Sequence, residues 1–155
     1  MSEYLRVLLT AAAPISEVRG AIPLGLGFYK LPVVTTILIA IIGNMLPVFF
    51  ILWLLDPVQK YLSSRSQMLA RFFDRLFSYT RRRHARKFEI YKEFALVLFV
   101  AVPLPMTGAW SGALAAFVFG IPFKKALPLI FLGVVGAAAI VTLASLGVIN
   151  FILIK

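Results

Sequence analysis

VLLTAAAPISEVRGAIPLGLGFY, residues 7–29, is an apolar stretch that is broken where a spanning helix ought to be continuous. Pro14, Glu17, Arg19, Gly20, Pro23, Gly25 and Gly27 put helix breakers and two opposite charges into its middle. Proline removes a backbone donor and turns the residue before it away from helical geometry. The segment therefore reads as two half-helices around an irregular turn. Non-helical backbone is tolerated at membrane depth only where protein buries it or water lines it, so such a turn is the natural place for a polar site.

A second stretch has the same character. FALVLFVAVPLPMTGAWSGALAAFVF, residues 94–119, carries Pro103, Pro105, Thr107, Gly108, Ser111 and Gly112 near its centre. Each broken segment precedes a long uncharged one. Residues 31–55 and 126–154 contain no charge over 25 and 29 residues, enough to cross a hydrocarbon core about 30 Å thick at roughly 1.5 Å per residue. The whole composition agrees with a lipid solvent. Of 155 residues, 61% are hydrophobic and 14% charged, and the mean hydropathy is +0.96. A chain of this size in water could not hide so much apolar surface. The expectation is one all-α membrane domain with no separate soluble domain, working in more than one copy. Met1–Ala13 has some features of a cleaved leader, but Glu3 and the short apolar run after Arg6 argue against that reading.

The halves also match in spacing. Pro32 to Gly43 and Pro122 to Gly133 are both 11 residues apart, and each Pro follows a Gly-Ala pair, Gly20-Ala21 or Gly108-Ala109. The pattern is read as an internal duplication, with each repeat a broken hairpin followed by a span. Gly43, Gly133, Gly136 and Ala137–Ala139 are the small residues that let helices approach closely in lipid.

Residues 56–93 join the halves and hold ten of the sixteen Lys and Arg residues. Leu62, Leu69, Phe72, Phe73, Leu76 and Phe77 recur at helical spacing among arginines, which predicts an amphipathic helix in the headgroup region. Arg81, Arg82, Arg83, Arg86 and Lys87 form a basic run suited to anionic lipid headgroups; its plainer reading is a topology determinant that keeps the loop cytoplasmic. No nucleic-acid recognition motif accompanies these charges. The chain has no cysteine and a single histidine, His84, so disulfides and thiolate metal sites are excluded and no cofactor is expected.

Charge leaves two topologies open. Two re-entrant hairpins, each leaving by the side it entered, place twelve basic residues inside and Arg6, Lys30 and Lys155 outside. Four full spans also place twelve inside, with Lys30, Lys124 and Lys125 outside. The breakers favour hairpins, and hence an inverted repeat.

Chemistry rests on few residues. Glu17 and Arg19 are the ionisable side chains deep in a broken segment, and intramembrane charges count as functional by default. The bland alternative is mutual neutralisation, or an Arg19 that snorkels to the interface. Residues two apart do not face each other on a regular helix, so their pairing is open. Gly20 and Pro23 belong to the same turn, while Pro103, Pro105, Thr107 and Gly108 would face it with a hydroxyl and exposed carbonyls. Asn44 is placed either between helices or in the pocket, Trp110 as a pocket wall or as packing, and Thr142 and Ser145 as hydroxyls bonded back to their own helix. Trp53 and Tyr61 are expected at the membrane interface. No nucleophile, base and orienting group occur together, so no enzyme is expected.

The block Glu17-Val18-Arg19-Gly20-Ala21-Ile22-Pro23 and the later Val102-Pro103-Leu104-Pro105-Met106-Thr107-Gly108-Ala109 resemble the putative small multi-drug export protein family over nearly the whole chain. More distantly, the plan of two hairpins each followed by a span is similar to the DedA and SNARE-associated Golgi protein superfamily. The resemblance implies membrane transport or lipid translocation, with Glu17, Arg19, Pro103 and Pro105 in the working site. The chain departs from the DedA plan in having no charged residue near Pro103 or Pro105. The expectation is a small homodimeric transporter of the plasma membrane, multi-pass, with a midplane site between facing hairpins and proton- or cation-coupled export. A flippase or scramblase for anionic carrier lipids and a non-transporting scaffold are the alternatives.

Overall fold

The computed structural model describes residues 2–65, 68, 71, 75, 86–104 and 107–153, and every regular element among them is helical. Helix α1 (Glu3–Ala12) opens on Ser2, whose hydroxyl accepts the Leu5 N–H at 3.4 Å. It stops because Ala13, the residue before Pro14, is extended at φ −72° and ψ 138°. Helix α2 (Glu17–Pro23) then runs into a π-helical turn, Leu24–Phe28. The break therefore falls at Pro14. Pro23 sits in the last turn of α2, where it removes one ladder bond, and the chain carries on: Leu24 N–H still reaches the Gly20 carbonyl, and Tyr29 N–H bonds to Leu24 at 3.1 Å. Gly25 and Gly27 lie within the widened turn and do not break it.

Helix α3 (Val33–Arg65) passes through Pro47 and Pro57 and extends ten residues beyond the uncharged stretch ending at Leu55. Helix α4 (Arg86–Ala101) begins well inside the basic segment and ends at the Val102-Pro103 break. Helices α5 (Ala109–Val118) and α6 (Phe123–Leu153) complete the chain. Val33–Leu55 and Phe123–Phe151 are long and apolar enough to cross a membrane by length and composition. Of the expected amphipathic helix, Leu62 falls in the last turns of α3, while Leu69, Phe72, Phe73, Leu76 and Phe77, like His84 and the basic residues Arg81, Arg82 and Arg83, lie outside the described residues; of Arg86 and Lys87 the structure describes the helical backbone alone.

The arms of each broken segment fold back on one another. Arg6, early in α1, donates from Nη1 to the Tyr29 hydroxyl at 3.3 Å, and Thr10 lies beside Gly20 nearer the turn. In the second segment Lys92 donates to the Phe119 carbonyl at 3.4 Å, while Val100 packs on Gly112 nearer its turn. Such pairings require antiparallel arms. The first arm of each hairpin lies on its own long helix, α1 on α3 and α4 on α6, and the second touches both long helices but packs more on the other, α2 on α6 and α5 on α3.

Two glycines make the first of these contacts possible. A Cβ at Gly43 would stand 2.5 Å from the Leu8 carbonyl oxygen, and one at Gly133 would stand 2.9 Å from the Val97 carbonyl oxygen. In each half the backbone of the first arm thus rests directly on the long helix. Close backbone approach through small residues is how helices associate in lipid, where burial of apolar groups gives little drive. The core built this way is rich in small side chains: Ala11, Ala21, Ala109, Ala113, Ala116, Ala137 and Ala138 are buried with Val7, Val18, Ile22, Leu96, Val100, Ile130 and Val134.

Candidate functional site

The two breaks meet at Glu17. This residue opens α2 with φ +47°, in the left-handed region that non-glycine residues rarely adopt, at a cost of order 1–3 kcal/mol that surrounding contacts must offset. The residue as a whole is 3% exposed. A carboxylate so buried needs donors, and the second broken segment supplies them: Trp110 N–H, in the first turn of α5, bonds to Glu17 Oε1 at 3.2 Å. The carboxylate thus caps α5 from another part of the chain, taking up a donor that the helix start leaves without an intrahelical partner. The positive end of the α5 dipole points at this anion.

Gly108 precedes α5 at φ +134° and ψ −166°, a conformation that favours glycine. A Cβ there would also overlap the Glu17 carboxylate and come to 2.7 Å from Arg19 Nη2. The bare backbone of Gly108 is what lets the carboxylate reach the helix start.

Arg19 completes the junction. Its Nη2 lies 3.4 Å from Glu17 Oε2, and its Nη1 donates to the Leu104 carbonyl of the second break. The pairing that a regular helix would forbid occurs where the backbone departs from one: Glu17, at the start of α2, is left-handed, and its carboxylate lies within reach of Arg19. A reciprocal bond runs the other way, from the Trp110 indole Nε1 to the Ala12 carbonyl at 3.2 Å. Each break therefore reaches across to satisfy an orphan backbone group of the other.

The remaining candidates divide by what they touch. Thr107 braces its own loop, with its hydroxyl 2.7 Å from the Val102 carbonyl and 2.8 Å from that of Leu104, and accepting the Leu104 N–H at 3.1 Å. Gly20 faces Ser16 and Thr10 within the first hairpin. Pro23 and Pro103 line a groove of about 530 Å³ that Arg19 also lines. Pro105 lies outside the described residues. Asn44 is buried on α3 with its Oδ1 unpartnered among the described residues, as is Thr142 Oγ1 on α6, whereas Ser145 bonds back to Val141 at 2.7 Å. The exposed carbonyls expected of the second break include that of Leu104, which Arg19 engages, whereas sequence reasoning named neither the Trp110 N–H nor the Ala12 carbonyl, because backbone groups carry no signal in residue type. The one available hint was the aromatic two residues past the Gly108 break.

No curated protein and no solved structure matches the chain. The model of the family described as "Putative small multi-drug export protein" matches residues 17–140, starting on the buried acid of this junction. With two apolar helices of membrane-crossing length and most of its sequence covered by that match, the chain is a membrane protein that belongs to the small multi-drug export protein family.

Proposed function

We propose that the chain is a small exporter in which the meeting point of two re-entrant hairpins is the transport site, and in which Glu17 couples movement of substrate to a proton or cation. The observation that carries this reading is the Glu17 carboxylate, buried between the two breaks and bonded to both Arg19 and the start of α5. Protonating it would weaken the ion pair and the charge-assisted cap together, so one event would loosen the hold of one hairpin on the other. Ionised groups inside a membrane protein are costly, and this pair occupies the junction of two halves that would have to move.

The hairpins are read as re-entrant because their arms are antiparallel and α1, α2 and α5 are each too short to cross about 30 Å at roughly 1.5 Å per residue. In this reading the amino terminus is outside and residues 56–93 are cytoplasmic. The exchanged packing of the arms, α2 on α6 and α5 on α3, supports an inverted repeat. Halves related in that way are suited to alternating access by rocking about a central site. We place the protein in the plasma membrane as a multi-pass homodimer, with the open apolar face between α3 and α6, at Met45, Phe49 and Phe131, available to a second copy.

The test is transport by purified protein in liposomes under an imposed pH gradient, with a panel of fluorescent anionic and cationic dyes as probes. Wild type should move at least one dye at a rate that follows the gradient, and Glu17→Gln should lose that dependence. An unaltered rate and pH dependence in Glu17→Gln would remove Glu17 from the coupling role.

A further inference from the structure

The groove beside the junction has a polarity of its own. Its walls are α2 and the π-helical turn on one side, with Arg19, Pro23 and Gly27, and the C-terminal half of α6 on the other, with Ala144 and Val148; Pro103 also lines it. Its volume, about 530 Å³, is that of a site for a drug-sized molecule. Ser145 lines it, but that hydroxyl is donated to the Val141 carbonyl. Among the described residues that line it, the Arg19 guanidinium is the one charged group.

Arg19 and Glu17 do not share this surface. The Glu17 side chain is 4% exposed and does not line the groove; that of Arg19 is 21% exposed and does. Described residues engage Nη1, through the Leu104 carbonyl, and Nη2, through Glu17. A guanidinium has five N–H donors in a planar fork, so donors remain for an acid in the groove. A molecule entering there meets apolar walls and one cation.

Depth narrows the occupant further. Arg19 lies next to Gly20, which packs on Thr10; Ala11, the next residue, packs on Gly43, ten residues into α3. At roughly 1.5 Å per residue this is about 15 Å below the start of that helix. The headgroup of a resident phospholipid stays at the interface and would not reach the guanidinium. We infer that the groove binds a drug-sized lipophilic organic anion, an aromatic or aliphatic body with one carboxylate or sulfonate, which enters from the lipid and seats its acid on Arg19. This names a substrate class for the transport reading and rests on that reading for its physiological meaning, though binding can be measured without transport.

The probe is 8-anilinonaphthalene-1-sulfonate, compared with N-phenyl-1-naphthylamine, the same aromatic body without the sulfonate. Both are titrated by fluorescence into intact protein in zwitterionic nanodiscs, with empty nanodiscs subtracted. Saturable binding of the sulfonate is expected, weakened about tenfold or more in Arg19→Gln, as befits loss of a charge-assisted hydrogen bond. The uncharged analogue should bind with little change in that variant. Ala144→Phe, which fills the groove from α6 and leaves the junction intact, should weaken both. Equal sulfonate binding in wild type and Ala144→Phe would overturn the proposal, as would saturable binding of ethidium in place of the sulfonate. Loss of sulfonate binding when anionic phospholipid replaces part of the zwitterionic lipid would assign the groove to lipid and overturn it too. Sulfonate binding with no transport of any dye would sink the exporter reading alone, and gradient-driven movement of cations alone would sink this inference and leave that reading standing.

Discussion

The Glu17 carboxylate accepts the backbone N–H of Trp110 at 3.2 Å, across 93 positions of sequence. An acid in the first break of the chain thereby caps the helix that follows the second. This contact ties a carboxylate to a helix start and so bears on how the two breaks sit together.

Removing the acceptor and removing the charge should have different effects. Glu17→Gln keeps an oxygen for the Trp110 N–H but loses the charge that holds Arg19 and strengthens the cap, and should cost about 0.5–1 kcal/mol of stability in detergent. Glu17→Ala uncaps α5 and leaves Arg19 without its carboxylate, with an expected loss of about 1–2 kcal/mol or more. Melting curves followed by circular dichroism compare the two; equal losses would mean that the cap contributes nothing.

Gly108→Ala should be among the more damaging single-methyl changes in the chain. The new Cβ overlaps the carboxylate, and φ +134° is strained for any side chain. A cost of about 1–3 kcal/mol is expected. Pairing it with Glu17→Gly, which removes the carboxylate and relieves the left-handed Glu17, should restore part of the loss. Monodispersity on size-exclusion chromatography after heating reports both effects.

Trp110→Phe keeps the ring volume nearly intact and removes the indole donor to Ala12. The expected loss is about 1 kcal/mol, with faster hydrogen exchange at residues 13–16 because the end of α1 loses its tie to the second hairpin. Exchange there at the wild-type rate would contradict a latch between the breaks.

Gly43→Leu and Gly133→Leu test the relation between the halves. Each substitution pushes an arm off its long helix at the same point, the Leu8 or the Val97 carbonyl. Both should cost at least the roughly 1–3 kcal/mol typical of overpacking, and by similar amounts. A large loss for one and none for the other would argue that the shared spacing is fortuitous.

How much of this was legible in the sequence varies from residue to residue. The two long apolar helices announce themselves through 25 and 29 uncharged residues, and the charge-glycine-proline block at Glu17–Pro23 carries the family resemblance. The position of the first break was only partly legible. Pro14, Pro23, Gly25 and Gly27 look equivalent as breakers, but Pro14 ends a helix while Pro23 lies in a last turn where one missing donor costs little. The Glu17–Arg19 pair was beyond reach of spacing rules, since it occurs at a left-handed residue held in part by the distant start of α5. The boundaries of α3 and α4 were hidden for a different reason: both helices run on from apolar into charged sequence, and hydropathy marks where the solvent changes and not where the hydrogen-bond ladder stops.

The central claim, two hairpins that enter from opposite sides and meet inside the membrane, is tested most directly by topology. The chain has no cysteine, so single cysteines at Ser2, Lys30, Ser64 and Lys124 can be probed on intact cells with a membrane-impermeant thiol reagent, and again after permeabilisation. The account predicts that Ser2 and Lys30 positions label from outside while Ser64 and Lys124 positions label only once the cells are opened. Labelling of Lys30 and Lys124 from outside, with Ser2 and Ser64 protected until permeabilisation, would make the broken segments full spans and contradict it.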